Sequence, residues 1–356
     1  MTALLIFIGT YTPDGNPGGI HAVPFDPVAG TFGTPRLAAA AANPTFLVRH
    51  PNGRILYALD ESGRVEGKPG GAVSAFAIDP DTGGLTPLNT VPSGGFGGAH
   101  VAVDSSGRTV TLVSYHGSTV TSFPLGADGR IGRPVSHLTV VGTPGPNTAR
   151  QDKPHPHSLT FSPDNRFAYV CDLGTDLILR YRIDPASSRL VPDGTTATAP
   201  GAGPRHGKFT ADGRQFRVIN ELDSTIATYG CDPATGALSL RQTISTLPAD
   251  FHGQSICAEI RIHPNGRFVY GSNRGHDSLA VFSCDVRTGA LTLVQIEPCG
   301  GGHPRNFALT PDGHWLVCAN RDSNNLVLFA VDPATGRLTP TGRSVTIPQP
   351  VCVLMP

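Results

Sequence analysis

Between residues 258 and 294, short β-branched and aromatic runs alternate with polar turns. The runs 259–263, 268–272, 279–284 and 290–294 are rich in Val, Ile, Phe and Tyr. A turn at 264–267, a polar loop at 273–277 and a second turn at 285–289 separate them. Such runs, broken by Asn-Gly and Thr-Gly turns, predict consecutive antiparallel strands. Four of them in about 40–50 residues make the unit of one β-propeller blade.

The unit recurs along the whole chain. The first turn returns as HPNGR, DSSGR, SPDNR, TADGR, HPNGR and TPDGH, ending at residues 54, 108, 166, 214, 267 and 314. The second turn, typified by CDPATGAL at 231–238, has seven copies against six of the first. The odd unit lies at the start, where 4–10 reads as a second strand with no first strand before it. The segment 349–356, QPVCVLMP, is patterned like the first strand at 43–50, NPTFLVRH. The expectation is therefore an all-β, seven-bladed β-propeller with four antiparallel strands per blade. One domain spans 1–356, and its C-terminal strand completes the N-terminal blade, so that closure removes the open sheet edges.

Composition narrows the function classes. With 43 Gly and 33 Pro in 356 residues, the chain suits many tight turns. Its 27 basic and 27 acidic residues balance, so neither nucleic acid nor an anionic membrane is expected as a partner. No apolar stretch approaches the roughly 20 residues of a membrane span. The apolar run 3–8 lacks a basic flank, and the repeat register makes it a strand rather than a signal h-region. Seven scattered cysteines without CxxC spacing suggest reduced, mostly buried thiols in a cytoplasmic protein. Only one tryptophan, Trp315, is present and no Trp-Asp dipeptide occurs, which weakens a WD-type scaffold.

The candidate chemistry lies where the β pattern is broken. In a propeller the first strand of each blade borders the central channel. The second strand returns antiparallel, so the start of one and the end of the other share a face. First strands begin with Asn43, His100, His155 and His157, Arg205 and His206, then Glu259, and finally His303, Arg305 and Asn306. Second strands end with Asp60 and Glu61, Tyr115 and His116, Asp172, Asn220 and Glu221, Asn273 and Arg274, and Asn320 and Arg321. Paired members such as His157 and Asp172, or Arg205 and Glu221, are 15 or 16 residues apart. One ring of His, Arg and carboxylate around one mouth follows, and a pocket with a few convergent polar groups is the default binding site.

Bland roles compete at several of these positions. His100 and His303 could be hydrogen-bonded channel fillers, and Asp60 and Arg321 could pair with neighbouring blades. His155 and His157, two apart, could hold a metal, but no third ligand is evident, so no metal or other cofactor is expected. Arg205 and Arg274 are harder to dismiss. A channel-facing guanidinium is costly to desolvate unless paired, and an anionic ligand would answer that need. The Gly-rich loop 94–98 is followed by no helix and reads as a flexible loop near the mouth rather than a phosphate cradle.

Several motifs together carry a resemblance over essentially the whole chain. IGTYT at 8–12, PHPHS at 154–158, GPRH at 203–206, NEL at 220–222 and CAEIRIHPNGRFVYGSNRGHDSLAVF at 257–282 are similar to the seven-bladed propeller lactonase family. That family includes bacterial 6-phosphogluconolactonases and fungal carboxymuconate-lactonising enzymes. The resemblance implies functional roles for His157, Arg205, Glu221 and Arg274, the last three of which stand in the motifs GPRH, NEL and SNRG.

Opening a lactone needs an activated water, a stabiliser for the tetrahedral oxyanion and a proton for the leaving alkoxide. Histidine can take and return the proton near neutral pH. The expectation is His157 as general base, Glu221 as its partner or alternate, and Arg205 and Arg274 as oxyanion and substrate binders. His100, His155, His206, Glu259, His303, Arg305, Asn306 and Arg321 are the further substrate-binding candidates. A phosphate tail would want a second basic cluster, drawn from Arg150, Lys153, Arg305 and Arg321. Three functions remain open: hydrolysis of a sugar lactone, with 6-phosphogluconolactone foremost; another lactone reaction, such as carboxymuconate-type cyclisation; and a non-enzymatic binding propeller. The expected partner is a small anionic lactone, and the expected state a monomer or weak homo-oligomer.

Overall fold

The computed structural model describes residues 3–12, 18–61, 64–65, 68–285 and 287–356. Val286, in the sixth copy of the second turn, lies outside them. No helix occurs among the described residues. Seven antiparallel blade sheets stand in sequence order, five of them made of consecutive strands, and a separate two-stranded hairpin, Arg64–Val65 with Lys68–Pro69, interrupts the second blade. Blades 2 to 7 begin with the first strands Leu47–Arg49, Gly98–Val103, Pro156–Phe161, Pro204–Phe209, Ile256–Ile262 and Pro304–Leu309. Blade 1 is the composite one. Leu4–Thr10 pairs Gly19–Asp26 on one side and the C-terminal strand Pro350–Leu354 on the other, with Phe7 opposite Leu354. The tail therefore supplies the missing first strand and the ring closes, as the repeat count predicts.

The turns explain why the unit repeats. Gly266 of the template has a φ of 73°, a left-handed conformation that side chains with a Cβ disfavour. SPDNR has Asn165 at the same place with φ 56°, and asparagine is the side chain that best tolerates it. In the second turn the aspartate acts as an acceptor. Asp232 Oδ1 takes the amides of Ala234 and Thr235 at 2.8 and 3.1 Å, which closes the chain before the next strand. Second strands are buried along their length and pack blade on blade. Tyr57, Tyr169 and Tyr270 each donate from their hydroxyl to the second turn of the following blade, at Gly129, Gly236 and Gly336.

One irregularity positions the site. In six blades the register between first and second strand shifts at the same end. The shifts fall between Gly98 and His100, Pro156 and Ser158, Pro204 and His206, Cys257 and Ile260, and Pro304 and Asn306, with the counterpart in blade 1 opposite Gly9 and Thr10. Each is a β-bulge, in which the extra residue has no partner across the ladder. The extra residues include His157, Arg205 and Arg305. In a regular strand neighbours point to opposite faces. At the bulge two consecutive residues can both face the channel, as Arg205 and His206 do.

Candidate active site

The bulged residues Ala99, His157 and Arg305 border a cavity of about 490 Å3 at one mouth of the channel, and Arg205 lies beside it, behind Glu221. His157, Glu221, Arg274, Arg305 and Arg150 line it, with Tyr115, Glu61, Asp152, Lys153 and His155 toward the rim. Its lining holds four basic side chains (Arg150, Lys153, Arg274 and Arg305) against three acidic ones (Glu61, Asp152 and Glu221). The mouth therefore favours an anionic ligand.

Glu221 is the hub. It follows the second strand of blade 5, where its amide bonds to Gly203 O, and it is 1 % exposed. Its Oε2 accepts from Arg205 Nε at 2.7 Å and pairs with Arg274 Nη2 at 2.8 Å, while Oε1 accepts from Arg150. Burial alone would raise its carboxyl, but the Arg274, Arg205 and Arg150 guanidiniums hold it well below the usual carboxylate range. Burial and the neighbouring Arg274 lower Arg205 to about 9, with Glu221 opposing them. A carboxylate held by three guanidiniums is a weak base. Its role is to hold the arginines in place.

The arginines keep donors in reserve. Arg205 uses Nε for Glu221 and Nη1 for Ala258 O and His206 Nε2; Arg274 uses Nη2 for Glu221 and Cys257 O. Arg274 Nε is buried without a partner among the described residues. Arg305 makes no ion pair among the described residues; its guanidinium sits 5.3 Å from the ring of Tyr11. His157 is 6 % exposed, and its Nδ1 has no partner among the described residues. Burial, reinforced by Arg205, pushes its pKa well below the ordinary imidazole value. It therefore stands neutral at physiological pH, with a lone pair available.

The remaining candidates fall in three places. His206, Glu259 and Asn306 form a layer one residue deeper in the channel. Glu259 Oε2 accepts from Asn306 Nδ2 at 2.5 Å and lies 3.3 Å from His206 Nδ1, in a geometry short of a full hydrogen bond. His100 belongs to the same layer, its ring 5.5 Å from that of His206, but it lines the opposite mouth rather than the cavity. His155 stacks on Tyr115 at 4.1 Å and its nitrogens meet Tyr115 O and Asp152, so it braces the rim instead of sharing a metal with His157. His303 and Arg321 lie beside one another at the rim. Arg321 Nε donates to Asp322 Oδ1 at 2.6 Å, and Arg321 lines a shallower depression with Tyr11 and Asn43.

Two loops also take definite positions. Segment 143–154 is pinned by Gln151, whose Nε2 donates to Leu173 O at 2.9 Å, and by Lys153 Nζ, which donates to His116 O at 2.7 Å. Pinned there, it delivers Arg150 to Glu221. The Gly-rich loop 94–98 is tied back by Gly71 to Gly95 and Gly117 to Phe96 hydrogen bonds, both at 2.7 Å, so that only its end at Gly98 reaches the lining. Asp172, expected at the mouth, turns away to cap the amides of His155 and Gly174 and the hydroxyl of Thr175.

Known proteins resemble this chain over most or all of its length. A Bacillus subtilis (strain 168) 6-phosphogluconolactonase is 36 % identical over 353 residues, covering 99 % of this chain and 98 % of its own. A Formosa agariphila 6-phosphogluconolactonase is 34 % identical and covers 85 % of this chain and 86 % of its own. Among solved structures, a Pseudomonas aeruginosa periplasmic gluconolactonase superposes with a TM-score of 0.93 at 30 % identity, covering 99 % of both chains. The family model described as "Lactonase, 7-bladed beta-propeller" matches residues 5–355, and the chain belongs to that family of lactonases.

Proposed function

We propose that this chain hydrolyses 6-phosphogluconolactone to 6-phosphogluconate. The observation that carries the reading is a buried imidazole, His157, whose Nδ1 has no partner among the described residues, lining one cavity with Arg305 and with Arg274, whose Nε is likewise unpartnered there. The names of the Bacillus subtilis and Formosa agariphila relatives supply the substrate. In this scheme His157 takes a proton from the water that attacks the lactone carbonyl. Arg205 and Arg274 stabilise the oxyanion. The carbon–ring-oxygen bond then breaks, and His157 returns the proton to the departing oxygen. Arg305, assisted by Arg150 and Lys153 at the rim, holds the phosphate. Seven unpaired cysteines fit a reducing, cytoplasmic setting.

The test is a product-forming assay on purified protein with spontaneous hydrolysis subtracted. Phosphorylated lactone, unphosphorylated gluconolactone and an unsaturated diacid are compared, each with a His157→Ala control. Turnover of the phosphorylated lactone that disappears in His157→Ala is the expected result. Preference for gluconolactone transfers the substrate reading to the Pseudomonas type, and turnover of the diacid alone transfers it to cyclisation. Activity surviving in His157→Ala removes the base assignment.

A further inference from the structure

The layer formed by Phe46, His100, His206, Glu259 and Asn306 plugs the channel. Phe46 and His100 lie with ring centroids 4.1 Å apart, Phe46 and His206 5.8 Å, and Glu259 is fully buried. The plug separates the lactone cavity from a second one of about 360 Å3 at the opposite mouth. That size lies within the range of small-molecule pockets. Its walls are mostly apolar, from Val48, Val103, Phe161 and Leu354. Two cations and an imidazole face into it: Lys208, Arg261 and His100.

Their bonding is unequal. Arg261 is already engaged, with Nη2 3.4 Å from Glu259 Oε2 and Nε donating to Phe307 O at 3.1 Å. Lys208 makes no hydrogen bond or ion pair among the described residues, and Glu259, shared with Arg261, acts on it only at longer range. His100 is 5 % exposed and its Nδ1 is buried without a partner. A half-buried ammonium inside apolar walls is costly unless a counter-charge meets it. Burial, with Arg261 nearby, lowers Lys208 to about 8. One unpaired positive charge calls for one negative charge, and the walls call for an apolar body.

We infer that the mouth opposite the lactone cavity is a binding site for a small apolar monocarboxylate, its carboxylate on Lys208 and its body against Val48, Val103 and Phe161. A dianionic phosphate fits less well, because Glu259 already balances Arg261. The site is separate from the lactone chemistry and does not depend on the reading of that chemistry.

Benzoate is the probe, titrated calorimetrically into the full chain. The expected result is one benzoate per chain, with affinity falling about 10-fold or more in Lys208→Met, since a charge-assisted bond is lost. Ala102→Phe, which fills the cavity and leaves Lys208 in place, abolishes the binding, while Arg305→Ala leaves it intact. Lactone turnover is unchanged in Lys208→Met and Ala102→Phe, which shows both variants to be folded. At pH 8 binding draws a proton onto Lys208, so its heat varies with the buffer. No binding at millimolar benzoate, equal affinity in Lys208→Met, or loss of binding in Arg305→Ala would each overturn the inference. The last outcome would place benzoate in the lactone cavity.

Discussion

Replacing Glu221 with Gln tests whether the carboxylate acts as anchor or base. Gln is nearly isosteric, so the change removes charge and leaves shape. In the native chain one carboxylate, 1 % exposed, holds Arg205 at 2.7 Å and Arg274 at 2.8 Å. Arg150 is 37 % exposed, so its pair relaxes into solvent and contributes little. Removing one partner of a buried pair costs about 3–5 kcal/mol, because the remaining charge is left uncompensated. At about 2.1 cal/mol/K per residue, the unfolding entropy of a chain this long is about 0.75 kcal/mol/K, which makes the expected drop in Tm about 4–7 °C. Differential scanning calorimetry reads it. Sulfate should restore the variant more than it stabilises the wild type, by binding from the cavity to guanidiniums left without a counter-charge. The pH dependence has a definite sign. A carboxyl depressed on folding contributes stability that is full above its unfolded value, near 4.5, and is lost as pH falls toward the folded one. The gap between wild type and variant should therefore be constant from pH 7 to about 5 and shrink below that. A Tm within about 1 °C of wild type, smaller than the shift from a single kcal/mol, would refute the anchoring role.

The other predictions concern turnover and local packing. The neutral state of His157 predicts kcat/KM flat from pH 8 down through 6.5 and falling only in acid; a decline centred above 6.5 in the pH–rate profile contradicts it. Substituting Arg305 by Ala should raise KM for the phosphorylated lactone by about 10–100-fold and leave gluconolactone almost unaffected, because a charge-assisted phosphate contact is removed; equal effects on both, in side-by-side kinetics, would remove Arg305 from the phosphate. Gly174→Ala puts a Cβ 1.9 Å from Lys153 O, so the pinned loop must shift and carry Arg150 away from Glu221. Turnover should then fall more than stability does, a split read by comparing kcat/KM with Tm.

Much of this molecule could be read from its sequence, because the two turns carry their own physics. An aspartate that caps two amides and a glycine with positive φ leave a recurring trace, and counting six copies against seven located the composite blade. Of the four residues implied by family resemblance, His157, Glu221 and Arg274 line one cavity, and Arg205 lies beside it, bonded to Glu221. The 15- or 16-residue spacing says less. It set His157 opposite Asp172 and Glu259 opposite Arg274, yet Asp172 caps a turn and Glu259 engages Asn306 and Arg261 a layer deeper. The reason is the bulge. It adds a residue without changing the hydrophobic pattern, so sequence cannot tell which of two neighbours enters the cavity and which lies below it. Arg150 was legible only as a loose phosphate candidate, because it comes from a loop outside the repeat. Lys208 left no signal at all, since a lysine in an alternating strand reads as solvent-facing.

The bulges also bear on how such a site can change. A residue outside the ladder contributes no cross-strand hydrogen bond, so exchanging its side chain costs the sheet little. The positions Ala99, His157, Arg305 and Val351 are then replaceable teeth on a fixed wheel, while Arg205 is tied to Glu221. Two of them are small and uncharged here, which leaves room in the mouth. A larger or charged residue at Ala99 would narrow the cavity or add a contact without refolding a blade. Substrate range in this architecture can thus drift one tooth at a time, while the turns and buried second strands that hold the wheel together stay as they are.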